Sequence, residues 1–203
     1  MKKPLLLLSA LALCVGHAYG KERIYLDDKF DVEKDSIIHI DVPVGSVEIE
    51  THDSDQVVID IVVKEKNDGW FGGDDIEDAE LEKDISGKKV RLEVDVDESQ
   101  QEWRVKLPKS ANIRVELGVG QVELENVERD VMVDVGVGEV DVELTDDNYR
   151  KISLESGVGG ADLSGFKQVD RERAMVSESL YWRGEGEYLI DIEVGVGDID
   201  VNL

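Results

Sequence analysis

A pattern of alternating apolar residues interrupted by a glycine recurs five times along this chain. Within each copy, apolar residues occupy one parity up to the residue before the glycine and resume on the opposite parity two residues after it. Alternation with a period of two predicts a strand with one buried face, and the change of parity predicts a kink or bulge. Glycine tolerates the backbone angles that such a corner needs. The five repeat glycines are Gly45, Gly120, Gly138, Gly159 and Gly197.

The spacing of these glycines limits the architecture. Gly120, Gly138 and Gly159 are separated by 18 and 21 residues, and Gly197 follows after 38, which is close to two such steps. A unit this short has no room for a helix and cannot bury its own apolar face, whereas units stacked on one another can. The spacing therefore predicts an all-β fold, a parallel β-helix or β-solenoid-like stack of 18–21-residue coils. An irregular, aromatic-rich coil over 169–188 is expected near one end.

The first twenty residues have the features of a signal peptide. Lys2 and Lys3 precede an apolar stretch over 5–15, and 18–20 offers small residues for cleavage near Gly20-Lys21. The apolar stretch is too short to span a bilayer, and no later stretch is apolar enough to do so. We therefore expect an exported protein with one domain over 21–203 and no transmembrane segment in the mature chain.

The charge of the chain excludes several classes of partner. It carries 48 acidic and 23 basic residues, a net charge of −25, and removal of residues 1–20 would change this to −27. Such a surface repels nucleic acid and disfavours docking on anionic lipid. The hydrophobic content of 41% is nevertheless sufficient for a core, so the acidity does not indicate disorder.

Residues 66–83 interrupt the strand pattern. We expect 66–75 to form an exposed glycine-rich loop and 74–83 to form about two turns of helix. The loop presents Trp70 and Phe71, and exposed aromatic residues at a loop tip often contact a partner. Alternatively, the loop folds back and covers the open end of the stack, which needs protection against edge-to-edge association.

Acidic residues recur three positions after the repeat glycines, on the outward parity. If the coils stack in chain order, Glu123, Asp141 and Asp162 form a column of like charges about 4.8 Å apart. Like charges directly opposed across strands destabilise a sheet, so something must offset them. One hypothesis is weak binding of a divalent cation such as calcium by these three carboxylates. The alternative is screening by water and salt, with no cofactor at all.

The run over 105–122, the repeated Gly-x-Val-x-Val units and the closing segment over 184–201 resemble the bacterial exported β-strand-repeat "putative adhesin" family, a domain of unknown function. The likeness covers most of 35–203. It implies a right-handed β-helix-like exported domain without established catalytic residues.

These observations favour a non-catalytic binding or structural protein of a bacterial periplasm or cell surface. Its partner would be an envelope protein or a glycan, with the oligomeric state left open. His39 lies on the outward parity of its strand and His52 in the following turn, so neither suggests a catalytic triad or a metal ligand. One alternative is a glycan-active β-helix enzyme, either a lyase or a hydrolase. Another is an envelope-stress accessory protein that contacts a membrane partner.

Overall fold

The computed structural model of the protein describes residues 23–65, 76–96 and 99–203, and these residues contain thirteen strands and no helix. The strands are β1 (Arg23–Asp31), β2 (Ile37–His52), β3 (Gln56–Glu65), β4 (Leu81–Ser86), β5 (Lys89–Val94), β6 (Ser99–Pro108), β7 (Asn112–Val127), β8 (Val131–Leu144), β9 (Tyr149–Val158), β10 (Ala161–Leu163), β11 (Asp170–Arg173), β12 (Glu178–Arg183) and β13 (Tyr188–Asn202).

The strands form one long mixed sheet that does not close on itself. Its order is β1-β3-β6-β2-β7-β8-β13-β9-β12-β11, with β4, β5 and β10 joined at the side. The central strands β2, β7, β8, β13 and β9 run parallel, whereas β1, β3, β11 and β12 pair antiparallel with their neighbours. The prediction of an all-β fold is confirmed. No helix of the described residues has the length and apolarity to cross a membrane.

The long strands change their buried parity at the repeat glycine, as the sequence predicts. In β8, Val133 and Val135 are buried before Gly138, and Val140 and Val142 are buried after it. Both halves of each long strand contribute to the same hydrophobic core. Each long strand therefore bends at its glycine and encloses apolar side chains on the inner side of the bend.

Close contact between backbones explains why this corner requires glycine. At Gly138 the φ angle is +159°, and a Cβ added there would lie 1.7 Å from the carbonyl oxygen of Gly120. The same contact recurs from strand to strand, since a Cβ on Gly120 would lie 1.7 Å from the oxygen of Gly45, and one on Gly197 would lie 1.6 Å from that of Gly138. The glycines therefore permit stacking as well as bending.

Because the strands bend, their two halves belong to different layers. The N-terminal half of β2 pairs with β5, and its C-terminal half pairs with β6. Likewise, the N-terminal half of β13 pairs with β9 and its C-terminal half with β10. We call the N-terminal halves with β4, β5, β9, β11 and β12 the first layer, and the C-terminal halves with β1, β3, β6 and β10 the second layer.

The expected stacking in chain order is wrong at one place. β13 lies between β8 and β9, so Gly138 pairs with Gly197. Gly159 in turn stacks against the backbone of Gly197 and not against that of Gly138. The physical reason lies in 169–188, which was expected to form a further coil. β11 and β12 instead form an antiparallel hairpin on the free edge of β9, with Leu180 fully buried. This hairpin leaves the other edge of β9 for β13.

The predicted helix is also wrong for the residues that the structure describes. The amide N–H of Ala79 donates to the carbonyl of Ile76 at 3.0 Å, which closes a single turn, and the chain then enters β4. Ile76 and Ala79 are both buried. A spacing of three between apolar residues fits a single turn as well as a helix. The rest of the predicted helix, from Leu81 onward, instead belongs to β4, which pairs antiparallel with β5. Residues 66–75 lie outside the described part of the chain.

Candidate functional site

A row of five carboxylates crosses the outer face of the second layer. In-register pairing of the parallel strands places these residues side by side on β2, β7, β8, β13 and β10. The structure brings the predicted pair on β7 and β8 together, but the predicted residue on β10 is separated from them by β13. In strand order, this acidic row consists of Glu48, Glu123, Asp141, Asp200 and Asp162.

The ends of the acidic row are neutralised and its centre is not. Glu48 lies 3.4 Å from the Arg104 Nε, and Asp162 lies 3.5 Å from a guanidinium nitrogen of Arg171. Within the described ranges, no cation pairs with Glu123, Asp141 or Asp200, the three central carboxylates of the row. Partial burial raises the pKa of Asp141 and of Asp200, and the neighbouring acids raise both further. Unpaired negative charge is therefore concentrated at the middle of the sheet.

The strongest grouping of carboxylates differs from the predicted trio. One oxygen each from Glu139, Asp141 and Asp200 lie within 4.8 Å of one another. Calcium takes six to eight oxygen ligands at about 2.3–2.6 Å, so these three could supply part of a shell completed by water. Glu139 lies two residues before Asp141 on β8 and shares its outward face. The correct strand order would have placed Asp200 beside Asp141. Cation binding by Glu123, Asp141 and Asp162 stays a prediction.

The outer face of the first layer carries a groove of about 440 Å³. Ile37, His39 and Met132 line it, together with Arg91 and Arg114. Both guanidinium groups are already engaged, with carboxylate distances of 2.7 Å from Arg91 and 2.8 Å from Arg114. The groove therefore holds apolar surface between charges that largely compensate each other.

The two histidines of the described residues lie apart. His39 Nε2 is 3.3 Å from a carboxylate oxygen of Glu116, and burial lowers the pKa of His39 more than this acid raises it. The Nδ1 of His52 accepts from the amide of Ser54 at 3.0 Å. The two histidines therefore have separate partners and do not form one site together. Trp70 and Phe71 lie outside the described residues, so both hypotheses for them stay predictions.

An ion cluster around the buried carboxylate of Glu178 anchors the hairpin of β11 and β12. Glu178 is 2% exposed, and its carboxylate accepts from Arg171 at 2.7 Å and from Arg173 at 2.6 Å. The pKa of Glu178 is lowered, first by the hydrogen bond from Arg173. The same carboxylate accepts from the amide of Ala161 at 3.4 Å, which connects the hairpin to β10. The cluster therefore fixes the end of the sheet structurally.

Comparison with known proteins identifies the family of the chain. Residues 19–164 match the N-terminal domain of toast_rack, DUF2154, and the chain belongs to this family. The resemblance to an adhesin-like family of unknown function is thereby confirmed. No curated protein matches the chain.

Solved structures are similar to the chain over most of its length. One, described as a putative cell adhesion protein from Clostridium sporogenes, is 15% identical with a TM-score of 0.48, covering 88% of this chain and 99% of that one. Another, described as a putative adhesin from Bacteroides fragilis, is 12% identical with a TM-score of 0.30, covering 89% of this chain and 97% of that one.

Proposed function

We propose that this protein is a non-catalytic binding protein of a bacterial envelope, exported by a signal peptide over 1–20 and acting in the periplasm or at the cell surface. The acidic row is the observation that carries this proposal. Its five carboxylates lie on neighbouring strands with their central charges unpaired among the described residues. A surface of this kind attracts a cationic segment of another envelope protein, or a glycan bridged by a divalent cation.

The repetitive character of the row supports binding over catalysis. Paired carboxylates that perform acid–base chemistry need different environments, so that one is protonated and the other ionised. Here stacking places carboxylates at equivalent positions, and the pKa shifts of Asp141 and Asp200 have the same direction. Equivalent groups repeated along a sheet suit an extended contact with a partner.

We also propose that the bent strands form a solenoid-like stack of coils. β7 and β8 pair in register with an offset of 18 residues, and only 128–130 connect them. We infer that 113–130 form one bent coil, with equivalent coils on either side. Such a stack offers the same outward position on every strand, which is the property that an extended binding face requires.

One observation favours the alternative of a glycan-active enzyme. The groove on the first layer brings together Asp84, Arg91 and His39, which are register partners on the neighbouring strands β4, β5 and β2. A lyase or hydrolase would need such a mixed set of groups in one concavity. Activity would appear as unsaturated or reducing sugar ends released from envelope polysaccharide.

The proposal is tested with three forms of the full chain incubated with envelope extract. The wild type is compared with a charge-neutralised form, Glu123→Gln with Asp141→Asn and Asp200→Asn. A control form removes three exposed acids outside the row. The control substitutions are Glu33→Gln, Asp95→Asn and Glu185→Gln.

We expect the wild type and the control to retain the same envelope protein or glycan, and the neutralised row to lose it. Equal retention by all three forms would contradict binding through the acidic row. Release of new sugar ends by the wild type, abolished by His39→Ala, would replace the binding proposal with the enzyme alternative.

A further inference from the structure

A line of exposed valines runs along the bend of the sheet. These are the middle residues of the Gly-Val-Gly motifs, Val119, Val137, Val196 and Val158, and each is 46–48% exposed. The alternation places them on the inward parity, but the structure turns them outward at the corner. They pair in register across β7, β8, β13 and β9, and the partly exposed Val44 on β2 continues the line. We call these five residues the valine ridge.

Glycines on both sides of four of the ridge valines leave those side chains standing clear, and Val44 lies between Pro43 and Gly45. A Cβ on Gly136 would lie 2.6 Å from the carbonyl oxygen of Gly118, and one on Gly138 would lie 1.7 Å from that of Gly120. Neither flanking position can therefore carry a side chain beside Val137. The corner itself does not require an apolar residue between the glycines, since threonine has the same β-branched shape. Exposed valine at this position needs another explanation, such as contact with a partner.

At β8 and β13, acidic residues border the ridge on both of its sides, whereas at β7 the corresponding positions are Glu116, which is paired with Arg114, and Gln121. Asp134 and Glu193 lie three residues before a ridge valine, which is about 10 Å along the strand, and neither has an ion pair among the described residues. Glu139 and Asp198 lie two residues after a ridge valine, about 7 Å away. An apolar line between two acidic borders is complementary to an apolar line between two basic borders. A second copy of this acidic chain or an anionic lipid surface would be repelled.

The backbone around the ridge favours a helix as the partner. β8 pairs on one side with β7 and on the other with β13, so these strands have no free edge to which an added strand could bind. A helix satisfies its own backbone hydrogen bonds. Neighbouring valines are about 4.8 Å apart, close to the helix pitch of about 5.4 Å. The five valines span about 19 Å, which is the length of about 13 helical residues.

We propose that the valine ridge binds an amphipathic helix of a partner protein, with an aliphatic stripe on the ridge and Lys or Arg on both flanks facing the acidic borders. This inference rests on the proposed binding function and identifies the chemistry of its partner. It also places the contact on the bend, which is distinct from the acidic row on the second layer.

The test uses a synthetic 18-residue peptide of leucine and lysine whose leucines form one helical stripe. A second peptide has the same composition in an order that breaks the stripe. Binding to the full chain is followed by fluorescence anisotropy and by methyl NMR of the ridge valines. The ridge variant is Val119→Thr with Val137→Thr and Val196→Thr, and the matched control neutralises Glu123, Asp141 and Asp200 as above.

We expect the striped peptide to shift the ridge methyl signals and the scrambled peptide to leave them unchanged. Each Val→Thr change removes one covered methyl group, worth about fourfold in affinity, so the triple variant should bind roughly sixtyfold more weakly. Its unfolding midpoint should stay close to that of the wild type, because the replaced groups are exposed.

Several results would overturn the ridge proposal. Equal affinity of the wild type and the ridge variant would do so, and so would binding lost only in the neutralised acidic row. In the latter case the proposed function would stand while the ridge would not. Contacts between the ridge methyls and residues 1–20, or concentration-dependent self-association through the ridge, would replace the helix with another occupant. Envelope binding that fails while the peptide still engages the ridge would contradict the proposed function alone.

Discussion

Replacing Gly138 with alanine is the most severe test of the way in which these strands stack. The new Cβ would lie 1.7 Å from the carbonyl oxygen of Gly120 and 2.8 Å from the carbonyl carbon. Relief needs a displacement of about 1.5 Å, which separates β8 from β7 at the middle of the sheet. The backbone angle of +159° adds strain for any residue with a side chain.

The expected cost of Gly138→Ala can be compared with that of a glycine that has space. Backbone strain contributes about 1–3 kcal/mol, and about three weakened ladder hydrogen bonds contribute about 1 kcal/mol each, giving a loss of about 4–6 kcal/mol. Gly87, in the turn between β4 and β5, also has a positive φ of +62°, but a Cβ there meets no atom within 4 Å. Gly87→Ala should cost only the left-handed backbone penalty of about 1–2 kcal/mol.

Urea unfolding of the two variants and the wild type, followed by far-ultraviolet circular dichroism, measures this difference. Both variants carry the same chemical change at a glycine with positive φ and have backbone strain of similar size, so most of the difference between them reports the contact with the neighbouring carbonyl. Should Gly138→Ala be no more destabilised than Gly87→Ala, the reasoning about stacked glycines would be refuted.

Three other predictions concern charge and the loop. Folding raises the pKa values of Asp141 and Asp200, so the ionised acidic row destabilises the folded protein at pH 7. This destabilisation becomes smaller as the pH falls. Replacing Asp141 and Asp200 with asparagine should therefore raise the free energy of unfolding at pH 7 by a few tenths of a kcal/mol, up to about 1 kcal/mol, since solvent screens these exposed or partly exposed groups. The gain should shrink as the pH falls towards the ordinary aspartate pKa, and the variant should lose any rise in melting temperature caused by calcium. A pH-independent gain would contradict this reasoning. The pKa of Glu178 is lowered, so its contribution is complete at neutral pH and declines as the pH falls below the ordinary glutamate pKa. Glu178→Gln should therefore cost about 1–3 kcal/mol at pH 7, measured by urea titration, and progressively less on acidification. A cost that does not change with pH would refute the ion cluster. Replacing Trp70 and Phe71 by serine should lower the melting temperature if they cap the sheet, whereas unchanged melting with lost envelope binding would support a partner contact.

Much of the fold could be predicted from the repeat, because alternation and its reversal are local. The corner at Gly120 is visible in the sequence, because the apolar residues within 113–117 and within 122–124 alternate on opposite parities. The apolar residues of both segments are buried. The strand order could not be predicted, because it depends on whether 169–188 stack as a coil or fold back as a hairpin. Both arrangements bury Leu180.

The candidate site was predictable to the same extent. Glu123 and Asp141 are neighbours because their strands are consecutive both in the chain and in the sheet. Asp162 is displaced by the insertion of β13, and Asp200 takes its place beside Asp141. The exposure of Val137 could not be read from alternation, since the two glycines around it rotate the backbone at the corner.

The most direct test of this account is a set of methyl NOEs among three ridge valines in the full chain. With β13 between β8 and β9, Val196 lies about 4.8 Å from both Val137 and Val158, while these two are about 9.6 Å apart. We predict strong NOEs from Val196 to each neighbour and none between Val137 and Val158. A strong NOE between Val137 and Val158, with none between Val137 and Val196, would show stacking in chain order and would contradict the acidic row and the valine ridge as described.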